Sequence, residues 1–137
     1  MDTTIQISAS ILSPLHKVWA HWTEPKHITK WNFAIPEWHC PFAANDLKAG
    51  GKYQARMEAK DGSFGFDFEA IYDEVTPQKK LIYTMTDGRK VITNFEQNGD
   101  TTIITTIFVA EMQNSVEMQK NGWQSILNNF KKYTEEN

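Results

Sequence analysis

Alternating apolar and polar positions run through most of the chain and predict β-strands. Residues 3–11 alternate and are rich in Ile and Thr, which predicts a first strand. The region from Gly50-Gly51 to residue 111 also alternates, and Asp-Gly or Asn-Gly pairs typical of tight hairpin turns interrupt it. Around these turns we place five further strands, over residues 52–59, 64–72, 81–86, 91–96 and 101–110.

Two short helices are predicted between the first strand and the alternating region. Ser13-Pro14 combines a preferred N-cap residue with proline at the first helical position, and the helix that it begins runs to about Trp22. Thr23-Glu24-Pro25 repeats this pattern for a second helix that reaches about Lys30. Both helices are therefore expected to follow the first strand directly.

The remaining segments complete an α+β order of elements. Residues 32–49 contain two prolines and no clear period, which predicts irregular structure with one short strand near Asn45–Leu47. From Asn114 the period becomes helical, which predicts an amphipathic helix of about twenty residues. Its apolar stripe consists of Val116, Trp123, Ile126, Leu127, Phe130 and Tyr133. We expect this helix to close the concave face of a curved antiparallel sheet.

Composition and charge narrow the classes of partner. A chain of 137 residues with 40% hydrophobic and 23% charged residues is typical of one globular domain. The net charge of −3 offers no electrostatic reason to expect nucleic acid or an anionic membrane as a partner. Cys40 is the only cysteine, and the N-terminal residues lack the pattern of a signal peptide. We therefore expect a cytoplasmic protein that does not bind membranes.

Several motifs resemble one known superfamily. Val18-Trp-Ala-His-Trp-Thr-Glu-Pro25, Trp31, Asp46-Leu-Lys-Ala-Gly-Gly-Lys-Tyr53 and Gly122-Trp123 resemble the START-like (SRPBCC) superfamily. The sequence is most similar to the bacterial group related to the activator of heat-shock-protein ATPase domain. This resemblance implies a helix-grip fold over a single domain of residues 1–137, with six to seven strands wrapped on the C-terminal helix. The superfamily contains lipid carriers, polyketide cyclases and chaperone regulators, so the fold alone does not give the function.

The histidines and the cysteine do not form a recognisable metal or nucleophile motif. His16 and His21 are five residues apart on a predicted helix, which places them on different faces. His39 and Cys40 are adjacent in an extended segment, where neighbouring side chains point apart. The sequence contains neither HExxH nor CxxC. We predict no metal, no cofactor and no catalytic cysteine.

Acid–base chemistry would require a titratable group inside the fold. Asp67 and Glu69 alternate with a row of phenylalanines, so simple alternation places both carboxylates outside the sheet. A β-bulge that inverted this strand locally would turn Asp67 inward, and that alternative stays open. His39, Arg89 and Glu111 are the other polar candidates. We assign no catalytic residue, and the residues favour a binding module over an enzyme.

The ligand-binding hypothesis assigns a wall and a mouth to a cavity between the sheet and the C-terminal helix. We expect a small hydrophobic or aromatic ligand, since apolar pockets with a few polar groups are the usual binding sites. His39 and Arg89 would orient the ligand near the mouth. The wall would consist of Trp31, Trp38, Tyr53, Met57, Phe66, Phe68 and Trp123.

Three alternatives remain open from the sequence. The chain contains eight Phe and five Trp, which could fill the interior completely. A polyketide-cyclase-like enzyme would use a carboxylate or histidine in the cavity, and a stress-related protein would contact a chaperone as the family name implies. The chain is expected to be a monomer or a weak homodimer. Gly122, which is unfavourable within a helix, is expected to permit a close approach to Trp22 or to the sheet.

Overall fold

A curled antiparallel sheet wraps one long helix in the computed structural model, which describes residues 3–137. The predicted α+β class and the seven-stranded form of the sheet are confirmed. The elements in chain order are β1 (Thr4–Ile11), α1 (Leu15–Thr23), α2 (Pro25–Trp31), β2 (Trp38–Asn45), β3 (Lys52–Ala59), β4 (Gly65–Thr76), β5 (Lys80–Met85), β6 (Lys90–Asn98), β7 (Thr101–Val109) and α3 (Val116–Glu136).

The strands lie in the order β1-β7-β6-β5-β4-β3-β2, and each neighbouring pair is antiparallel. Consecutive strands from β2 to β7 are neighbours, while β1 joins the far side of β7. Gly88 and Gly99 have φ values of +90° and +64°, the left-handed conformation that these hairpin turns require of their glycines. The turn residues therefore specify the meander that alternation predicts.

The segment predicted to be irregular, with one short strand near Asn45–Leu47, instead contains a strand of eight residues, β2, which ends at Asn45. It pairs with β3 from Trp38 opposite Ala59 to Asn45 opposite Tyr53. The register shifts between His39 and Phe42, around Pro41, and β2 lies at the edge of the sheet. Proline is tolerated at such a position because an edge strand need not donate every amide to a neighbour. Pro41 therefore marks an irregular edge strand, whereas Pro36 lies in the turn before that strand.

The start of α1 also differs from the prediction. Pro14 is the N-cap, no side chain caps the helix, and Leu15 is its first residue. The Ser13 main chain is held by the sheet region, since its amide donates to Ile11 O at 2.8 Å and its carbonyl accepts from Thr102 Oγ1 at 2.9 Å. The buried Ser13 hydroxyl has no hydrogen-bond partner in the described part of the chain. The sheet contacts of Ser13 therefore replace the expected cap.

The second short helix and the terminal helix follow their predictions closely. Pro25 occupies the first turn of α2 as expected. Thr23 does not cap this helix, because its Oγ1 donates to Trp19 O at 2.8 Å within α1. Ser115 caps α3 by accepting the Met118 amide at 3.0 Å. Leu127 and Phe130 of α3 are buried, whereas Val116 is exposed and does not belong to the apolar stripe of this helix.

Side chains of α3 cover the free edge of β1. Gln124 Nε2 donates to Ser8 O at 3.1 Å, and Lys131 Nζ donates to Ser10 O. Beyond the strand, Glu135 Oε2 accepts the Leu12 amide at 2.7 Å. Edge strands that leave such groups free invite pairing with another chain. None of the helices in residues 3–137 has the length and apolar character needed to cross a membrane.

Candidate ligand-binding pocket

A pocket of about 480 Å³ lies between the concave face of the sheet and α3. The helix packs on β1, α1 and α2, and the strands at the middle of the sheet supply the floor below it. Eight of the lining residues are aromatic: Trp22, Trp31, Tyr53, Phe66, Phe68, Tyr72, Tyr83 and Trp123. Their side chains border this pocket.

Seven of the nine predicted site residues line this pocket: Trp31, Tyr53, Met57, Phe66, Phe68, Arg89 and Trp123. Strand alternation accounts for the grouping on the sheet. Tyr53 and Met57 project from one face of β3, and Met57 lies opposite Phe66 of β4 in the strand register. Trp123 reaches the same space from α3. Their location follows from the fold, while their role in binding stays a prediction.

Trp38 and His39 do not line the pocket, contrary to the expectation. Trp38 packs on Phe66, which does line the pocket, at a ring-centroid distance of 6.0 Å. His39 Nε2 lies 3.5 Å from Glu58 Oε1, and about 41% of the histidine side chain is exposed. Because Cys40 is the buried residue of this strand segment, alternation turns His39 to the outer face.

Aromatic side chains form a connected wall. Tyr53 and Tyr83 stack with a centroid distance of 5.8 Å and an interplanar angle of 17°. Phe68 meets Tyr83 edge-on at 5.9 Å and Trp123 at 6.4 Å. Trp123 in turn stacks on Phe108 at 4.0 Å, which anchors it to the sheet. Such edge-on and offset contacts hold the rings in place and leave flat surfaces facing the pocket.

The floor of the pocket carries uncharged hydroxyl groups that sequence reasoning missed. Thr93 Oγ1 and Thr106 Oγ1 lie 3.2 Å apart on the paired strands β6 and β7. Tyr72 donates its hydroxyl to Asn45 Oδ1 at 2.8 Å, and Tyr53 accepts a hydrogen bond from Asn32 at 3.2 Å. Burial raises the pKa of all three pocket tyrosines, so their phenols stay protonated.

Two charged side chains, Arg89 and Glu111, line the pocket. Arg89 Nε donates to Asp87 Oδ2 at 2.7 Å and its guanidinium also reaches Val109 O. The hydrogen bond from Arg89 holds the pKa of the Asp87 carboxyl below its usual value. Glu111 Oε1 accepts the Asn114 amide at 2.6 Å. Both charges at the pocket are thus already engaged by the protein.

Gln119 fixes the connection between β7 and α3. Its Oε1 accepts the Glu111 amide at 2.8 Å, while its Nε2 donates to Asn114 O at 2.9 Å and Glu111 O at 3.1 Å. Because Gln119 is polar, it is not part of the predicted apolar stripe of the helix. Its spacing of four from Trp123 and eight from Leu127 is the signal that could have identified a buried position.

Gly122 does not serve the close approach that we expected. A Cβ atom placed there would meet no other atom within 4 Å. Gly122 follows Gln119 by three residues and precedes Ile126 by four, and both of those residues line the pocket. These spacings share one side of a helix, but Gly122 itself does not line the pocket.

The carboxylates of β4 stay outside, as alternation predicts. Asp67 Oδ1 lies 3.6 Å from Arg56 Nη1, and Glu69 Oε2 lies 3.3 Å from Lys52 Nζ. The β3–β4 register is continuous through Asp67, so the bulge that would turn it inward is not formed. Among residues 3–137, Glu111 is the one carboxylate that lines the pocket. Of the carboxylates considered for acid–base chemistry, Glu111 therefore lines the pocket, whereas Asp67 and Glu69 do not.

Histidines of the two short helices pack against α3. The rings of His21 and His27 stack at 4.1 Å. His21 Nδ1 lies 3.2 Å from Thr134 Oγ1, and His27 Nδ1 lies 2.7 Å from Tyr133 Oη. Burial, followed by the proximity of His27, lowers the pKa of His21 from 6.5 to about 4. Each imidazole therefore serves the packing of the helices.

Comparisons with known proteins agree with this architecture. The model of the family described as Activator of Hsp90 ATPase homolog 1-like protein matches residues 13–135. An AHSA1-like protein from Aeromonas hydrophila is 38% identical with a TM-score of 0.92, over 98% of this chain and 93% of that one. A protein from Cytophaga hutchinsonii is 50% identical with a TM-score of 0.84, over 97% and 92%.

More distant structures share the fold alone. A protein from Nitrosomonas europaea is 18% identical, with a TM-score of 0.83 over 97% of this chain and 94% of that one. No curated protein matches the chain.

Proposed function

This chain belongs to the Activator of Hsp90 ATPase homolog 1-like family, and we propose that it binds a small hydrophobic or aromatic ligand between its sheet and α3. The observation that carries the proposal is the pocket of about 480 Å³ beneath α3, with eight aromatic residues in its lining. Pockets of this size, mostly apolar with a few polar groups, are typical of sites for small molecules.

Two features of the pocket support a ligand of mixed character. The aromatic wall offers flat apolar surfaces, on which a ring compound would bury its faces. The floor adds the hydroxyls of Thr93 and Thr106, and Arg89 and Glu111 add charged groups. Because both charged groups are engaged by the protein, apolar contact would supply most of the affinity.

The proposal is tested by looking for a ligand and by adding one. Native mass spectrometry of freshly purified protein should show a bound small molecule that is lost on denaturation. Thermal unfolding with a panel of aromatic compounds should identify ligands that raise the melting temperature, because a ligand at a hundred times its Kd stabilises the native state by about 2.7 kcal/mol. A protein that carries no ligand and is stabilised by none of the panel would contradict the proposal.

Chaperone contact is a second candidate, favoured by the family description over residues 13–135. We expect it to involve a heat-shock chaperone of the same cell. Size-exclusion chromatography of the two purified proteins, with and without nucleotide, should show a complex if the contact forms. Separate elution at concentrations of tens of micromolar would count against this candidate and would leave ligand binding unaffected.

A further inference from the structure

We propose that the Tyr83 hydroxyl is a hydrogen-bond donor that selects the ligand, and that the pocket takes planar aromatic ring compounds bearing an uncharged acceptor oxygen. This inference rests on the proposed function and deepens it, because it names both a class of ligand and the residue that recognises it. The chemistry is that of a ring ketone or a similar carbonyl compound.

The three tyrosines of the pocket differ in the state of their hydroxyls. Tyr72 donates to Asn45 Oδ1 and Tyr53 accepts from Asn32 Nδ2. Within residues 3–137, Tyr83 makes no hydrogen bond to another residue through its hydroxyl, although the residue lines the pocket. Because this hydroxyl is neither paired nor fully buried, it is accessible from the pocket to an acceptor atom of a ligand.

Neighbouring rings fix the position of the Tyr83 hydroxyl. Tyr83 stacks on Tyr53 at 5.8 Å and meets Phe68 and Tyr72 edge-on at 5.9 Å and 6.0 Å. A side chain held on three sides loses little conformational entropy when a ligand binds to it. Tyr83 is therefore a preorganised donor.

The polar groups beside Tyr83 are also uncharged. Tyr83 lies opposite Val91 in the β5–β6 register, so Thr93 is its diagonal neighbour on the same face. Thr93 pairs with Thr106 directly across β6 and β7. The three residues thus lie on the neighbouring strands β5, β6 and β7 and share one face of the sheet.

The charged groups of the pocket and the protonated Tyr83 phenol favour an uncharged acceptor oxygen on the ligand. Arg89 and Glu111 are held by Asp87 and by the Asn114 amide, so no free charge compensates an ionised group at the floor. Burial raises the pKa of the Tyr83 phenol, which keeps its proton available for donation. A neutral carbonyl oxygen needs no compensating charge and can accept a hydrogen bond from the Tyr83 phenol. The aromatic wall favours a carbonyl group that is attached to a flat ring system.

The experiment compares two ligands that differ by one oxygen. 9-Fluorenone and fluorene share a flat three-ring skeleton, and the ketone alone carries an acceptor. Their dissociation constants are measured by fluorescence or calorimetry for the wild type, for Tyr83→Phe and for the control Tyr133→Phe. The control removes a hydroxyl that binds His27 outside the pocket. Thermal unfolding of each variant checks that it is folded.

We expect the wild type and Tyr133→Phe to bind fluorenone about 3- to 10-fold more tightly than fluorene, the range for a single hydrogen bond. Tyr83→Phe should bind fluorenone about 3- to 10-fold more weakly than the wild type does. Its affinity for fluorene should lie within about twofold of the wild-type value. The carbonyl stretch of bound fluorenone should lie at lower frequency in the wild type than in Tyr83→Phe. This infrared readout reports the hydrogen bond itself.

Equal binding of the two ligands by the wild type, or fluorenone affinity unchanged in Tyr83→Phe, would overturn the role of Tyr83 and leave the proposed function standing. If the wild type binds neither compound and native mass spectrometry shows no other ligand, the proposed function fails and this inference fails with it.

Discussion

At the scale of single residues, His21 links folding to pH. Its pKa is about 4 in the folded chain, lowered mainly by burial and further by His27 and Lys17, with Glu24 opposing the shift. An unfolded histidine titrates near 6.5, so between these values the unfolded chain binds more protons than the folded one. The stability that depends on neutral His21 is therefore complete above pH 6.5 and is lost as the pH falls towards 4.

We predict that the free energy of unfolding falls by roughly 3 kcal/mol between pH 7 and pH 4 through this group, since each pKa unit corresponds to 1.36 kcal/mol. His27, whose pKa is also lowered by burial, adds to the loss. Urea unfolding at a series of pH values measures the effect. His21→Asn, which keeps a polar partner for Thr134, should flatten the pH dependence, whereas His16→Asn at an exposed position should not. An identical slope in His21→Asn and the wild type would contradict the assignment.

At the scale of elements, Gln119 joins the end of the sheet to α3. Its amide group binds the main chain at Glu111 and Asn114, and both of these residues line the pocket. A substitution that cannot form hydrogen bonds leaves these part-buried main-chain groups without the Gln119 partner, which costs about 1–3 kcal/mol. The orientation of this loop therefore depends on one side chain.

We predict that Gln119→Leu lowers the free energy of unfolding by about 1–3 kcal/mol and speeds amide exchange at Glu111. Gln119→Glu keeps an oxygen that accepts the Glu111 amide but has no donor for Asn114 O. Its free energy of unfolding should therefore lie between those of Gln119→Leu and the wild type. Gln113→Leu, at an exposed position of the same loop, is the matched control. Chemical denaturation and hydrogen exchange measure both effects. Equal stability of Gln119→Leu and Gln113→Leu would show that the loop is held by other contacts.

At the scale of the whole molecule, local patterns predicted most of the fold but only part of the site. Alternation assigns a face to Tyr53 or Phe68 because it depends on the strand alone. Trp38 and His39 were misplaced because their segment was predicted to be irregular, so strand alternation was not applied to it. The Thr93–Thr106 pair exists only once β6 and β7 are aligned.

The two edges of the sheet bear on whether the chain associates with itself. At one edge, β2 carries Pro41, which has no amide to donate, and packs against α2. At the other edge, α3 occupies main-chain groups from Ser8 to Leu12 through Gln124, Lys131 and Glu135. Neither edge offers a continuous row of free groups, so we expect a monomer of 15.8 kDa.

Removing the α3 side chains that occupy the free edge of β1 should change the oligomeric state of the chain. We predict that the triple variant Gln124→Ala, Lys131→Ala and Glu135→Ala self-associates as its concentration rises, because it frees the edge for pairing. The matched control Glu117→Ala, Lys120→Ala and Asn121→Ala removes a similar set of side chains from exposed positions of α3. Sedimentation equilibrium of the wild type and both variants measures the mass. If the two triple variants sediment alike, α3 does not protect the edge, and β1 is kept from pairing by its own sequence.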